Sequence, residues 1–382
     1  KGHKMQKHKL RVFEAFAGIG AQASALKRLG IDYEIVGISD WFIDAIECYS
    51  EIHCTTKQVK APKDREDLLS YLSKYTFSMD SVRPYDINRL NDEELKKLYI
   101  ANKKCNNYGS ILDIQAQDLP NIDLLVYSFP CQDLSTGGLC QGMKKGSGTR
   151  SGLLWQIERI LNGLKQQKRL PEYLLLENVK TIQAASNKKD LDEWLEFLSS
   201  IGYYNDDCMI LNALDFGVPQ DRERAFIVSH LGRKLNLNSK IKKKERIYKF
   251  KEFFRNDYSN PVLKAEADTA QLNKTPSREQ MWKINGRSLD EHTIVRTITC
   301  NMDRTHCAAL FPYTGEKGVS YRRPTIREAF LLMGFSEKDY EKTLKLGYSY
   351  RKMNKLIGNS IVVNVLEEIF REMFVNKYSL KG

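Results

Sequence analysis

Short apolar runs broken by glycine or proline, interspersed with stretches whose apolar positions recur at helical spacing, predict an α/β chain built on a parallel sheet. The run Leu10-Arg-Val-Phe-Glu-Ala-Phe16 reads as a first strand and Ala21–Leu29 as the helix behind it, stopped by Gly30. Ile35–Ile38 predicts a second, short strand. Ile122–Tyr127, apolar except for Asp123, reads as a buried central strand that Pro130, with no N–H to donate, brings to an end. Tyr173–Leu176 and Ala225–Ser229 predict two more strands. Helical spacing covers Asn91–Ala101 and Ser151–Leu164. Val362, Leu366, Ile369, Phe370 and Met373 share one face of a last helix, with Ser360 expected as its N-cap. Residues 55–108 are charged and irregular and read as an insertion on the sheet's edge, whereas Thr269–His292 carries few strand or helix signals.

This pattern gives particular side chains a place. Phe16-Ala17-Gly18-Ile19-Gly20 links the first strand to the first helix, and glycines there let the backbone turn tightly and approach a ligand. Asp40-Trp41 closes the second strand, where nucleotide-binding folds hold ribose hydroxyls; a nicotinamide oxidoreductase fits equally well to this point. Asp113, beside Ile114, is a second candidate contact, or a plain turn aspartate. Cys131 follows the central strand, at the end where open α/β sheets bind ligands, although most lone cysteines are inert core residues. Glu177 at the end of the next strand points a carboxyl group into the same crevice, or else caps the following helix. Arg222 and Arg224 share strand parity and are expected to face one side, with Asp221 and Glu223 as alternative partners.

Composition then narrows the partners. The formal charge of +12 over 382 residues favours a polyanion, nucleic acid first. Basic residues gather in the glycine-rich loop after Cys131 (Lys144, Lys145, Arg150) and in Lys240–Arg246, where Tyr248, Phe250, Phe253, Phe254 and Tyr258 follow. The loop reads as a lid or as surface, the second cluster as a nucleic-acid face or a solvated one. No stretch reaches the length of a membrane span and the opening residues lack a signal peptide's apolar region, so a cytoplasmic location is expected. The 8 cysteines include no CxxC pair, which argues against a zinc ribbon; His306-Cys307 is a weak metal hint, and no metal is expected.

Taken in order, these pieces resemble the DNA (cytosine-5) methyltransferases over most of the chain, mollicute-type bacterial enzymes of restriction-modification systems in particular. The cofactor turn is Phe16-Ala-Gly-Ile-Gly20, with Ala21 where the family usually adds a glycine. Pro130-Cys131-Gln132, Glu177-Asn178-Val179, Gln220-Asp-Arg222-Glu-Arg224, Arg322-Arg-Pro-Thr-Ile-Arg-Glu328 and Gly358-Asn359-Ser360 match the other motifs. The resemblance implies a Rossmann-like S-adenosylmethionine-dependent methyltransferase domain over residues 9–231, completed by 345–382, with a smaller target-recognition domain over 232–344. It implies catalytic roles for Cys131, Gln132, Glu177, Arg222 and Arg224. S-adenosylmethionine is expected near Phe16, Ala17, Gly18, Ile19, Gly20, Asp40, Trp41, Asp113, Ile114, Pro130, Asn359 and Ser360. Ser135, Lys144, Lys145, Arg150, Lys242, Lys243 and Arg304 are expected to meet double-stranded DNA. A monomer is implied, with a cognate restriction endonuclease as a candidate partner.

Two rivals stay open. RNA methyltransferases of this fold carry similar motifs, although the segment between Arg224 and Arg322 suits a duplex reader. A catalytically dead DNA-binding regulator is the other, against which the full set of chemical residues argues.

Overall fold

In the computed structural model, which describes residues 8–130, 151–285, 294–303, 307–315 and 321–378, the predicted strands assemble into one sheet. The strands are β1 (Leu10–Ala15), β2 (Tyr33–Ser39), β3 (Leu124–Tyr127), β4 (Tyr173–Val179), β5 (Tyr203–Asn205) and β6 (Met209–Asn212), then β7 (Gln220–Asp221) and β8 (Glu223–Leu231). Their order in the sheet is β2-β1-β3-β4-β8-β5, with β6 also on β8. β2, β1, β3 and β4 are mutually parallel, and β8 runs antiparallel to β4. β4 is longer than expected, so Glu177 lies within the strand rather than just past it.

Helices α1 (Ala21–Leu29), α2 (Ile43–His53), α3 (Arg65–Leu72), α4 (Asp92–Cys105), α5 (Leu154–Gln166) and α6 (Ala185–Ser200) belong to the same unit. Gly30 ends α1 at φ 63°, a conformation that costs a residue without Cβ nothing. Trp194 of α6 is fully buried; its indole N–H donates to the Tyr127 hydroxyl at 3.1 Å and its ring meets that of Trp155 on α5. Both helices therefore pack on β3 and β4 through side chains that need burial and satisfy their polar ends.

The charged 55–108 stretch is an ordered helical lobe. Leu68, Leu72, Phe77, Leu95 and Leu98 form its core with Ile43 and Ile46 of α2. Asn91 caps α4 in a reciprocal box with Glu94. Beyond α4 the chain runs beside β2: Ile38 donates to the carbonyl of Asn106 at 3.3 Å and accepts from the amide of Tyr108 at 2.9 Å.

By internal packing the chain divides into two units. One comprises Lys1–Leu211, Glu223–Ile241 and Glu367–Gly382; the other comprises Asn212–Arg222 and Lys242–Leu366. Residues 345–366, assigned to the cofactor domain by resemblance, cluster instead with the second unit. In the first unit the end of the C-terminal helix returns to the sheet, where the Tyr378 carbonyl accepts from the Asp32 amide at 2.8 Å and Lys377 pairs with Glu172 at 2.9 Å.

The second unit contains α7 (Phe250–Phe253), α8 (Pro261–Thr269), α9 (Pro276–Asn285), α10 (Ile326–Leu332), α11 (Glu337–Thr343) and α12 (Tyr350–Gly358). It also holds the short strands β9 (Val295–Arg296), β10 (Phe311–Pro312) and β11 (Tyr321–Arg322), with β7 paired to β9. α9 lies in the stretch that carried few signals, and α8 ends where that stretch begins. Each opens with proline at its first position, α8 behind the N-cap Asn260. Ser360 is not an N-cap: α13 (Val363–Tyr378) begins beyond it, and the Ser360 hydroxyl donates to the Ile361 carbonyl at 3.4 Å. The apolar face is nonetheless buried, with Leu366, Ile369 and Phe370 fully enclosed. Among the described residues no helix is long and apolar enough to cross a membrane.

Candidate active site

Five residues join β1 to α1, three of them at positive φ: Phe16 (58°), Gly18 (57°) and Gly20 (76°). The amides of Phe16 and Ala17 both donate to the Ser39 carbonyl, which binds the turn to the end of β2. A Cβ on Gly20 would run into His53 and Tyr49, so glycine is required there by packing as well as by conformation. A Cβ on Gly18 would meet no protein atom within 4 Å, which leaves its backbone open on that side. Asp40 braces the turn, one carboxylate oxygen accepting from the Gly18 amide at 2.9 Å and the other from the Phe42 amide at 2.9 Å. Burial pushes the Asp40 carboxyl up to about 6, against these hydrogen bonds. Trp41 is half-buried beside it and Ile19 is enclosed. An open backbone face flanked by a carboxylate and an aromatic ring suits a nucleoside-type ligand.

Asp113 and Ile114 lie on the turn before β3. The Asp113 carboxylate is exposed and accepts from the Thr76 amide at 3.0 Å, whereas Ile114 is buried. Arg159 of α5, which sequence reasoning missed, holds this turn by donating to the carbonyls of Ile114 (2.7 Å) and Ile111 (3.1 Å). Asn107, also missed, holds the backbone of Asp40. Such residues act through backbone partners dozens of positions away and leave no local sequence pattern.

Glu177 and Arg224 meet across the β4–β8 ladder. Arg224 stands opposite Val179, so it is the diagonal neighbour of Glu177 on the same face, and its Nε lies 3.5 Å from a Glu177 oxygen. Both side chains are largely shielded from water. The adjacent Asn178, 2 % exposed, donates to the Phe129 carbonyl at 3.1 Å and so fixes the backbone that leads through half-buried Pro130 toward Cys131. Cys131, Gln132, Ser135, Lys144, Lys145, Arg150, Arg304 and His306 lie outside the described residues.

Two expectations need correction. Arg222 does not share a strand face with Arg224, because it falls between β7 and β8, where alternation does not apply. Its buried guanidinium donates to the carbonyls of Ile298 (2.8 Å), Gly358 (3.1 Å) and Ser360 (2.8 Å), tying the Gly358-Asn359-Ser360 motif to the second unit; Ser360 is buried there and Asn359 exposed. Of the aromatics after Lys240, Phe254 is buried and packs on Phe311, while the half-buried Tyr258 packs on Tyr313 and the Tyr248 hydroxyl donates to the Leu214 carbonyl. Lys242 and Lys243 are exposed, and Lys243 pairs with Asp215 at 3.1 Å, beside Arg246.

Known proteins resemble this chain over most of its length. The family described as C-5 cytosine-specific DNA methylase matches residues 66–375. The orphan methyltransferase M.SssI of Spiroplasma monobiae is 38% identical over 380 residues, covering 94% of this chain and 96% of that protein. The type II methyltransferase M2.ScrFI of Lactococcus lactis subsp. cremoris is 34% identical over 374 residues, covering 96% and 99%. Among solved structures, the S. pombe Dnmt2 methyltransferase matches with a TM-score of 0.59 at 21% identity, over 97% of this chain and 99% of that one. Entamoeba histolytica EhMeth matches with a TM-score of 0.61 at 15% identity, over 97% and 99%. At such identities these two establish the Rossmann-like fold and nothing finer.

Proposed function

The chain belongs to the C-5 cytosine-specific DNA methylase family and is a DNA cytosine-5 methyltransferase, and from that premise we propose that it methylates a cytosine flipped out of duplex DNA through a covalent adduct with Cys131. The observation that supports this most is the largely shielded Glu177–Arg224 pair; the strand of Glu177 also anchors, through Asn178 and Phe129, the backbone that leads toward Cys131.

C5 of cytosine is a weak nucleophile and must be activated. The Cys131 thiolate adds to C6 while Glu177 holds N3 and gives it a proton, which leaves C5 with the character of an enamine carbon. S-adenosylmethionine, when bound, supplies the electrophilic methyl group. Removal of the C5 proton, with water as the base, then expels Cys131. Arg224 holds the cytosine O2 and offsets the charge of Glu177, and such fixed donors count for most where water is excluded. Phe16–Gly20, Asp40, Trp41 and Asp113 hold the cofactor, for which the open backbone at Gly18 and the Asp40 carboxylate are suited.

A stacked base hides its ring atoms, so flipping is required, at a cost of a few kcal/mol that DNA contacts must offset. The unit formed by Asn212–Arg222 and Lys242–Leu366 is the candidate reader of the duplex. Its phosphate contacts give affinity that falls with salt, and its base-edge contacts give specificity. The enzyme acts as a monomer in the cytoplasm. Bisulfite sequencing of unmethylated genomic DNA, after treatment with protein and S-adenosylmethionine, tests the proposal. Protected cytosines in one short motif are expected, with none from Cys131→Ser. Full conversion by a preparation shown to bind the cofactor would overturn it and make RNA the substrate to test.

A further inference from the structure

We infer that Asn107, at the end of the helical lobe, is a positioning residue for the cofactor acid Asp40; this rests on the reading that Asp40 helps to hold S-adenosylmethionine. Asn107 is 3 % exposed, and its side-chain amide makes four hydrogen bonds. The oxygen accepts from the amides of Asp40 (3.0 Å) and Gly109 (3.2 Å), and the nitrogen donates to the Asp40 carbonyl (3.0 Å) and to the side-chain oxygen of Asn102 (2.7 Å). Only one orientation of the amide satisfies two donors on one side and two acceptors on the other, so the group is locked. Both backbone polar groups of Asp40 are thereby held by one side chain from outside the sheet.

The way this side chain is presented explains why the lobe exists where it does. Asn106 caps α4 in the left-handed conformation, φ 49°, which asparagine tolerates, and so turns the chain to run parallel to β2 at Ile38. The Asn107 amide is held in turn by the Asn102 carbonyl at 3.0 Å. The lobe therefore delivers one fixed amide to the residue whose carboxylate braces Gly18. Aspartate at 107 would keep the acceptor and lose both donations. Alanine would leave two buried backbone groups of Asp40 without this partner, which is costly in a water-poor site.

The test is calorimetric titration of the full chain with S-adenosylhomocysteine, together with KM for S-adenosylmethionine and kcat on duplex DNA. Asn107→Ala should raise Kd and KM about tenfold and leave kcat at saturating cofactor within about twofold. Asn107→Asp, nearly isosteric, should fold and bind several-fold more weakly, so it carries the test if the alanine variant does not fold. Asn91→Ala destabilises the same helix by removing its cap and should lower Tm with no change in Kd. The inference is overturned if the Asn107 variants bind like wild type while Asp40→Ala binds weakly, or if Asn91→Ala weakens binding as much as Asn107→Ala does. If Asp40→Ala itself binds like wild type, the cofactor site has been misplaced and the inference falls with it.

Discussion

The side-chain amide of Asn178 donates to the main-chain carbonyl of Phe129 at 3.1 Å, and each residue is 2 % exposed. This bond joins β4 to the segment that leads to Cys131, the proposed nucleophile, with Tyr127 and Leu176 already in register one step earlier. Replacing Asn178 with alanine strands a buried carbonyl, at a cost of about 1–3 kcal/mol. Misplacement of a reacting group by roughly an ångström can cost about a hundredfold in rate. We expect Asn178→Ala to lower kcat strongly and leave S-adenosylhomocysteine affinity unchanged, as single-turnover methyl transfer and calorimetry would show.

Glu177→Gln preserves volume and removes the proposed proton donor. Loss of general acid help is worth about 10²–10⁴-fold in rate. Radiolabelled methyl transfer should fall by that order in Glu177→Gln, with the variant still folded and still binding DNA. Wild-type turnover would remove Glu177 from the chemistry.

The raised carboxyl of Asp40 gives a pH signature. Its unfolded value lies near 4 and its folded value is about 6, so its contribution to folding stability is full below about 4 and lost as pH rises through about 6. Function runs the other way, because the carboxylate that braces Gly18 is the majority form only above about 6. Affinity for S-adenosylhomocysteine should therefore fall as pH is lowered through about 6. In Asp40→Asn it should be weak and flat over the same range.

Arg322 and Glu328 are both 0 % exposed and bonded twice, at 2.8 and 2.9 Å. Glu328 also closes the capping box of α10 with Thr325 and accepts from the Arg255 amide at 2.8 Å. Arg322→Leu would leave a carboxylate buried without its charge partner, a change that costs about 3–5 kcal/mol. Denaturant unfolding should register a loss of that order for the second unit.

Much of this was legible in the chain. Buried parallel strands carry apolar runs, so β3 and the first half of β4 announced themselves, and Gly30 marked the end of α1 by its conformational freedom. α8 and α9 were missed because they are short, and α9 is mostly polar, although Asn260-Pro261 and Thr275-Pro276 carried the start signal of an N-cap followed by proline. Glu177 could be named from its strand, but its pairing with Arg224 depends on the register of an antiparallel neighbour. Arg222 misled because strand parity was carried across a break between two strands. Asn107 and Arg159 were invisible for a different reason, since what they grip is backbone, which has no identity in a sequence.

The segment Asn106–Tyr108 has one more effect, on the molecule's neighbours rather than its ligand. An open outer strand offers unpaired rungs on which another polypeptide can build, the usual first step toward fibres and swapped dimers. Along β2 the N–H and C=O of Ile38 are already taken by Asn106 and Tyr108, and the carbonyl of Val36 by the Asn106 side chain. At the far side the sheet ends in β5 and β6, strands of 3 and 4 residues, each too brief to template much. The segment at the end of the lobe thus covers part of the outer strand and leaves fewer rungs open to another chain.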